Sequence, residues 1–334
     1  MSAGAIGIDL GGSNLRVAGF APGSAVPLVT HREPVGEDRR PEAIVARVAA
    51  AVAATRRAAR WPDDAEVAVG VGLAAMLSDR QGTVARSPHL DWTDVPFGPM
   101  LARTLDAVGA GAPRHQLGVY NDVNAITWGE LTAGAGRGAR DLLLVFGGTG
   151  LGGGVVTNGQ LVEGSSNCAG EIGHVKVAWG DKAAPCACGQ RGCVEAYVGG
   201  SYVQRRARAE LRAGVRSTAL ALAGGVVDHV HPGHVDQAAA AGDAWALELW
   251  GELAPLLAVT IGNACAVLNP ERVVLGGGML GRTPTLVELT LAALAVATPV
   301  AIHDRLTVVM AELEDDAGLV GAAALAAAGV SVLR

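Results

Sequence analysis

The sequence predicts an α/β protein built from two similar halves. Two stretches show the same order of strand, glycine turn and strand, the first beginning at Ala5 and the second at Asp141. Short apolar runs on both sides of a glycine turn predict β-hairpins, and helical patterns follow each of them. A chain of 334 residues is long enough for two domains. We therefore expect a duplicated α/β core with a cleft between the halves.

The first half has the elements of one α/β unit. Pro41 favours a helix start, because proline has no amide hydrogen to leave unbonded in the first turn. The expected strands are Ala5–Leu10, Leu15–Phe20, Glu66–Leu73 and Leu117–Tyr120, and the expected helices are Pro41–Ala59, Pro99–Val108 and Val123–Thr132.

The second half repeats the opening pattern. The run LLLVF predicts a strand, GGTGLGGG a glycine loop, and Val155–Glu163 a strand pair around an Asn158–Gly159 turn. The remaining expected elements are helices at Ser201–Ala213 and Asp243–Leu268, a strand at Arg272–Leu275 and a last helix at about Ala317–Gly329.

The composition excludes several classes of protein. A net charge of −6 and a pI of about 5.8 argue against non-specific binding to nucleic acid or to an anionic membrane. The N-terminus lacks the basic and apolar regions of a signal peptide, and no apolar run is a convincing membrane span. A cytoplasmic protein is therefore expected. Thiols stay reduced in that compartment, so clustered cysteines indicate metal ligands before disulfides.

One cluster of this kind follows His174. Cys186, Cys188 and Cys193 fall within eight positions among glycines. Cys168 and Cys265 are interpreted as ordinary small core residues. A second tract, His229, His231 and His234, is interpreted as an exposed polar loop, with metal binding as the alternative.

Two glycine loops are candidates for binding phosphate. In IDLGGSN, Asp9 ends a strand before Gly11, Gly12 and Ser13; the second loop is FGGTGLGGG. Glycines allow backbone N–H groups to approach phosphate oxygens, and an acidic residue beside them can hold Mg²⁺ through water. The alternative is that both clusters are only turns.

The second loop also matches a dinucleotide-binding pattern. Gly148, Gly150 and Gly153 have the G-x-G-x-x-G spacing, and Glu171 follows at about the expected distance. That pattern must open a helix, whereas the residues after it here predict a strand pair. A Walker-type loop needs a Gly-Lys pair, and it is excluded because neither of the two lysines in the chain follows a glycine.

Taken together, these motifs resemble those of the ROK sugar kinases (repressor, open reading frame, kinase), most closely the bacterial ROK glucokinases. The matching segments are IGIDLGGSN, VYNDVNA, FGGTGLGGG, AGEIGH with CACGQRGCVEAY, and VVLGGG. The resemblance implies an actin-like ATPase (RNase H-like) fold of two α/β domains around a cleft. The expected domains are residues 1–122, completed by a C-terminal helix at about 315–330, and residues 123–314.

The resemblance also implies the sugar site and a structural Zn²⁺ site. His174, Cys186, Cys188 and Cys193 look like one tetrahedral zinc site, with no position left open for substrate. Asn121, Asp122, Glu171, His174 and Glu195 are implied to bind the sugar. His174 would bind zinc through one ring nitrogen and a sugar hydroxyl through the other.

The catalytic and nucleotide roles follow from the same resemblance. Asp122 resembles the general base that accepts the proton of the attacking hydroxyl; its alternative is a helix cap. Asp9 would help to hold Mg²⁺. The residues implied to bind ATP are Gly11, Gly12, Ser13, Asn14, Gly148, Thr149 and Gly150 for the phosphates, and Gly276, Gly277 and Gly278 for adenosine.

The substrate is the least determined part. The segment AGEIGH favours glucose, while N-acetylmannosamine, N-acetylglucosamine and a cyclitol stay open. Met76 and His89 depart from the residues usual in glucokinase-like members. A repressor would need a helix-turn-helix ahead of Ile6, and a non-catalytic sugar sensor is disfavoured by Asp122. A homodimer is expected from the resemblance alone.

Overall fold

The computed structural model describes residues 3–113 and 116–330. The chain divides into two compact units. Unit 1 contains the described residues of Met1–Gly138, of Leu161–Ala169 and of Asp315–Arg334. Unit 2 contains Ala139–Gln160 and Gly170–Glu314.

Unit 1 is built on a five-stranded sheet. Its strands are β1 (Gly4–Leu10), β2 (Asn14–Phe20), β3 (Pro27–Pro34), β4 (Val67–Leu73) and β8 (Leu117–Asn121), in the spatial order β3-β2-β1-β4-β8. The two hairpin pairs are antiparallel, whereas β4 and β8 continue the sheet in parallel. Every residue of β4 is buried, as the continuous apolar run predicts for an inner strand.

The helices of unit 1 are α1 (Pro41–Ala58), α2 (Phe97–Ala107), α3 (Asp122–Ala133) and α11 (Ala317–Ala327). The last of these, α11, packs against α3, β1 and β4. Glycines on the two strands make this approach possible: a Cβ on Gly7 would overlap the backbone of Leu319, and one on Gly70 the backbone of Ala322. The C-terminal helix is thereby part of the core of unit 1.

A small antiparallel sheet lies between β4 and α2 in the chain. It consists of β5 (Met76–Leu77), β6 (Val84–Ser87) and β7 (Trp92–Val95). The sequence patterns did not predict this sheet, because its strands are only two to four residues long.

Unit 2 repeats the sheet of unit 1. Its strands are β9 (Leu142–Gly147), β10 (Leu151–Thr157), β11 (Gln160–Leu161), β12 (Arg272–Gly276) and β13 (Thr307–Met310), in the order β11-β10-β9-β12-β13. As in unit 1, the opening hairpin is antiparallel and the next two strands are parallel.

The prediction of a glycine loop as far as Gly154 was wrong. Gly152, Gly153 and Gly154 belong to β10 and pair with β9. A Cβ on Gly153 would lie 2.6 Å from a methyl carbon of Ile172, so the absence of a side chain lets the segment that contains Ile172 pack on the strand. The loop proper is Gly148–Gly150.

The helices of unit 2 are α4 (Glu195–Val198), α5 (Gly200–Arg212), α6 (Thr218–Leu222), α7 (Pro232–Ala240), α8 (Ala244–Leu268), α9 (Pro284–Ala297) and α10 (Val300–His303). Among the described helices only α8 is long and apolar enough to cross a membrane. It packs along α9, and its residues Leu249, Trp250 and Leu257 are at most 1% exposed. These are the features of a core helix.

The observed division of the chain differs from the expected one. We expected the first domain to end at Asp122, but unit 1 continues through α3 to Gly138 and also takes up residues 161–169. The reason is that α3 has its most extensive packing against α11. A Cβ on Gly321 of α11 would overlap the carbonyl of Ala125 on α3, so these two helices are in close contact.

Candidate active site

The first glycine loop joins β1 to β2 in unit 1. Loop 1 (Gly11–Asn14) is closed by a hydrogen bond of 3.1 Å from the amide of Gly11 to the carbonyl of Asn14. A Cβ on Gly11 would meet no atom closer than 3.8 Å, so the space beside Gly11 is open. An open glycine backbone of this kind can receive phosphate oxygens.

A row of charged side chains crosses the sheet beside loop 1. Asp9, Arg16 and Arg32 are neighbours across β1, β2 and β3. The Arg16 guanidinium donates from Nε and Nη2 to Oδ2 of Asp9, at 3.0 and 2.6 Å. Arg16 also donates to the carbonyl of Asp315, just ahead of α11.

A cavity of about 360 Å³ in unit 2 and one of about 320 Å³ in unit 1 accompany the glycine motifs. The unit 1 cavity is lined by loop 1 together with Asp9, Arg16 and Arg32. Both arginines were missed from the sequence, although the hairpin register places Arg16 opposite Asp9. An anionic ligand in this cavity would be close to two guanidinium groups, one already paired with Asp9.

Met76 and His89, which depart from the residues usual in glucokinase-like members, both lie in unit 1. A Cβ on Gly12 would come within 2.8 Å of the Cβ of His89, so His89 stands directly against loop 1. Met76 is 45% exposed. The amide Nδ2 of Asn121 donates to the carbonyl of Ala75 at 3.2 Å, which ties the segment containing Met76 to the end of β8.

Asn121 and Asp122 occupy the end of β8 and the start of α3. Asn121 is the N-cap of α3, and its Oδ1 accepts from the amides of Val123 and Asn124 at 2.9 and 3.2 Å. The structure therefore gives the main capping role to Asn121. Asp122 is the first residue of the helix, and its Oδ1 accepts from the Val123 amide at 3.0 Å.

The second glycine loop is held by hydrogen bonds with two helices of unit 2, α4 and α5. Loop 2 (Gly148–Gly150) follows β9, and its carbonyls at Gly148 and Thr149 accept from the amides of Gly200 and Ser201 at the start of α5. Glu195 of α4 accepts from the amide of Leu151 through Oε2 at 2.9 Å. A Cβ on Gly150 would overlap that same carboxylate oxygen. Loop 2 and Glu195 therefore hold each other in position.

The predicted metal ligands converge in unit 2. The ligand atoms of His174, Cys186, Cys188 and Cys193 all lie within 4.8 Å of one another, and this is the only such group of three or more among the described residues. Cys186 Sγ is 3.8 Å from Nδ1 of His174, and the Sγ atoms of Cys188 and Cys193 are 3.7 Å apart. A tetrahedron with zinc–sulfur bonds of about 2.3 Å has sulfur atoms about 3.8 Å apart. The four residues thus fit zinc.

Other side chains support the cysteine cluster. The hydroxyls of Tyr197 and Tyr202 accept from the amides of Ala184 and Ala187, at 2.9 and 2.7 Å, on either side of Cys186. The Nζ of Lys176 lies 3.2 Å from Sγ of Cys193. Burial raises the pKa of the Cys186 thiol to about 12, whereas a bound cation would favour its thiolate.

The cluster is connected to the two carboxylates predicted to bind sugar. Nδ1 of His174 is directed to Cys186, while its Nε2 lies 3.8 Å from a carboxylate oxygen of Glu171. Glu195 Oε1 lies 3.7 Å from Sγ of Cys186. The two ring nitrogens of His174 are thus directed to different partners, one to the cysteine cluster and the other to Glu171.

The predicted adenosine motif ends β12. Gly276 is the last residue of the strand, Gly277 packs on the backbone of Gly147 with a φ of +92°, and Gly278 lines the unit 2 cavity. Thr149 of loop 2 lines the same cavity. One cavity of unit 2 is thus lined by residues of both the predicted phosphate motif and the predicted adenosine motif.

Two sequence interpretations need correction. Cys265 is buried in α8, but Cys168 is half-buried rather than a core residue, because it follows the turn at Asn167. The histidine tract is not simply an exposed loop: His229 is exposed, whereas His231 and His234 are half-buried and stack on each other.

Comparison with known proteins agrees with this geometry. The model of the ROK family matches residues 5–328. The glucokinase of Streptomyces coelicolor is 32% identical, and the match covers 96% of each chain. The crystal structure of a ROK family glucokinase from Streptomyces griseus, in complex with glucose and AMPPNP, has a TM-score of 0.76 at 29% identity, covering 97% of this chain and 99% of that one.

A further solved structure supports the fold. The ROK hexokinase from Thermus thermophilus has a TM-score of 0.78 at 26% identity, covering 96% of both chains. The expectation of an actin-like fold is thereby confirmed. The two repeated sheets, the glycine loops and the family match over nearly the whole chain lead to one conclusion: this protein belongs to the ROK family.

Proposed function

We propose that the protein transfers the γ-phosphoryl group of ATP to glucose and forms glucose 6-phosphate. The observation that carries the proposal is the 32% identity to a glucokinase over 96% of both chains. Each motif implied to act in catalysis lies within residues 5–328, which the model of the ROK family matches. The two units are proposed to be the two domains of a cytoplasmic sugar kinase.

Asp122 is the proposed general base. Its carboxylate accepts the proton of the attacking sugar hydroxyl as that oxygen bonds to the γ-phosphorus. The bond between the γ-phosphorus and the bridging oxygen of ADP breaks, and ADP leaves. Asp122 is the first residue of α3 and directly follows the N-cap Asn121. The capping hydrogen bonds of Asn121 fix the start of α3, so the position of Asp122 is set by its neighbour.

The proposed sugar-binding residues are Asn121, Asp122, Glu171, His174 and Glu195. Carboxylates bind the hydroxyls of a sugar through directed hydrogen bonds. Glu195 is itself fixed by the Leu151 amide. This binding positions the reacting hydroxyl, which is the main source of rate in phosphoryl transfer.

The phosphates of ATP are proposed to lie on loops 1 and 2, and adenosine against Gly276–Gly278. Asp9 would hold Mg²⁺ through water, and the ion when bound neutralises charge on the phosphates. The ion pair to Arg16 leaves Oδ1 of Asp9 outside the bidentate contact. Arg16 therefore orients the carboxylate of Asp9 and offsets part of its negative charge.

A structural zinc is proposed at His174, Cys186, Cys188 and Cys193. The distances in the cluster suit tetrahedral coordination. The metal would fix the segment that carries Glu171 and the start of α4 that carries Glu195. It takes no part in the chemistry, because all four positions come from the protein.

The substrate is tested with ATP-dependent phosphorylation of glucose, mannose, fructose, N-acetylglucosamine, N-acetylmannosamine and a cyclitol. The highest kcat/KM with glucose supports the proposal. A higher kcat/KM with an amino sugar or cyclitol would keep the kinase and change its substrate, and Met76 and His89 would be the first residues to exchange. No turnover of any of them would indicate a sugar sensor and contradict the proposal.

The active protein is proposed to be a homodimer. Val267, Val296 and Val300 are 83%, 89% and 71% exposed, on or directly beside α8 and α9. The proposal rests on the resemblance to the ROK sugar kinases, and a second copy that covered these valines would remove them from water. Light scattering coupled to gel filtration should give twice the mass of 33.7 kDa; a single-chain mass would contradict the dimer.

A further inference from the structure

The histidine pair at the start of α7 is not used by the mechanism above. His231 and His234 stack with ring centroids 3.6 Å apart and an angle of 25° between the planes. The tract belongs to no group of metal ligands found among the described residues, where the only group is the cysteine cluster. Another role must therefore be sought for the pair.

His231 forms part of the wall of the unit 2 cavity. The same cavity of about 360 Å³ is lined by Thr149 of loop 2, by Gly278 and Met279 of the adenosine motif, and by Arg282. This volume falls within the range of small-molecule sites, about 300–1,000 Å³. The imidazole and the phosphate motif thus face one ligand-sized space.

The ring of His231 is held in place and kept neutral. The residue before it is fixed, because Gln204 and Arg208 both donate to the carbonyl of Val230. Burial lowers the pKa of His231, and the neighbouring charges of His234, Arg282 and Arg208 act in the same direction. A neutral, immobile imidazole presents a flat aromatic surface with one donor and one acceptor nitrogen.

The space beside His231 depends on a missing side chain. A Cβ on Gly233 would lie 3.1 Å from Cε1 of His231 and 3.7 Å from Cβ of Arg282. Gly233 therefore leaves room between the imidazole and the arginine. A methyl group at this position would be in tight contact with the imidazole and would take up part of this space.

We propose that His231 holds the base of the nucleoside triphosphate and favours a purine over a pyrimidine. The inference rests on the proposed function, in which loop 2 takes the phosphates of the donor. A base held against an aromatic ring gains stacking energy, and a purine offers the larger surface. Arg282 supplies donors for the ring nitrogens of the base.

The test compares binding of ATP, CTP and inorganic triphosphate to the full chain by calorimetry. His231→Ala should weaken the binding of ATP at least about fivefold and reduce the preference for ATP over CTP. The affinity for inorganic triphosphate should be unchanged. His231→Phe should retain most of the ATP affinity, because it keeps a flat ring. The matched control is His229→Ala, which changes an exposed histidine two residues away and outside the cavity.

A second variant tests the space rather than the ring. Gly233→Ala should weaken ATP binding with triphosphate unchanged, since its methyl group fills the gap beside His231. Equal ATP affinity in wild type, His231→Ala and Gly233→Ala would overturn the inference. So would an equal loss of ATP and triphosphate, because that points to damage at loop 2.

Failure of the proposed function has a different signature. In that case the wild-type protein itself would neither bind ATP nor phosphorylate a sugar, and the inference would fall with it. If the wild type binds ATP and the variants do not differ from it, only the inference is overturned. Thermal unfolding of each variant shows whether the fold is retained.

Discussion

The two glycine-turned hairpins share a fold and differ in what surrounds them. Each opens a five-stranded sheet with the same strand order and the same pattern of antiparallel and parallel pairs. Loop 1 lies beside a row of charges, Asp9, Arg16 and Arg32, and has open space at Gly11. Loop 2 is instead held by Glu195 and the start of α5.

The last strands of the two sheets differ in the same way. In unit 1, β8 ends at Asn121 and leads directly into Asp122 and α3; in unit 2, β13 ends at Met310 and is followed by Ala311. An acid at this strand end occurs in only one of the two copies. The repeated sheet is thus a common scaffold, and the chemistry depends on residues that the repeat does not share.

The largest predicted effect concerns the acid that only unit 1 has. Asp122→Asn should lower kcat about 10²–10⁴-fold, because the amide cannot accept the proton of the sugar hydroxyl. Steady-state kinetics with glucose and ATP measure this loss, and thermal unfolding checks the fold. Asp64→Asn, at an exposed turn, is the matched control. A kcat within a factor of about two of wild type would assign the base elsewhere.

The second effect concerns the cysteine cluster, which only unit 2 has. Cys188→Ser should lower the free energy of unfolding by more than about 3 kcal/mol and weaken glucose binding, because the metal is coupled to folding. Elemental analysis should find one zinc per wild-type chain and none in the variant. Cys168→Ser, outside the cluster, should behave as wild type. A metal-free protein with full activity would contradict the zinc site.

The third effect compares the two loops directly. Gly150→Ala should destabilise the protein by about 1–3 kcal/mol and raise the KM for glucose, because its methyl group overlaps Glu195. Gly11→Ala has room for its methyl group and should keep the stability of wild type, while it raises the KM for ATP. Urea unfolding measures the stability of both variants, and steady-state kinetics measure their KM values. Equal stability losses would show that the loops are equally constrained.

The smallest effect is a pH dependence of unit 2. The pKa of folded His231 is lowered from 6.5 by burial and by His234, Arg282 and Arg208, so the unfolded chain binds this proton more readily. The contribution of His231 to the free energy of unfolding is therefore fully present above pH 6.5, and it falls as the pH decreases through that value. The melting temperature of wild type should therefore fall more between pH 8 and pH 5.5 than that of His231→Asn. His229→Asn serves as control; parallel changes in all three proteins would remove His231 as the cause.

Local patterns in the sequence were sufficient for the repeated hairpins and for the cluster of three cysteines, whereas the resemblance to the ROK sugar kinases was needed to add His174 and to imply zinc. Apolar runs around glycines place β1, β2 and β9, and the spacing of Cys186, Cys188 and Cys193 is compatible with one ion. In both cases the information lies within a few residues. The pairing of Asp9 with Arg16 could also have been predicted, since the short turn sets the register between β1 and β2.

Features that depend on distant contacts could not be predicted. Gly152–Gly154 look like a loop, because glycine weakens strands, yet they pair in β10 where Ile172 needs the space. The strand β3 was missed, because its polar residues and two prolines suit only an edge strand. The stacked pair of His231 and His234 requires the tertiary setting of α7, which spacing alone does not reveal.

ATP-dependent phosphorylation of glucose is the activity proposed for this repeated scaffold. Its most direct test is to identify the product by phosphorus NMR after incubation of the purified protein with glucose and Mg-ATP. The account predicts glucose 6-phosphate and an equal amount of ADP, with neither formed by Asp122→Asn on the same timescale. ADP with inorganic phosphate and no sugar phosphate, or no consumption of ATP, would contradict it.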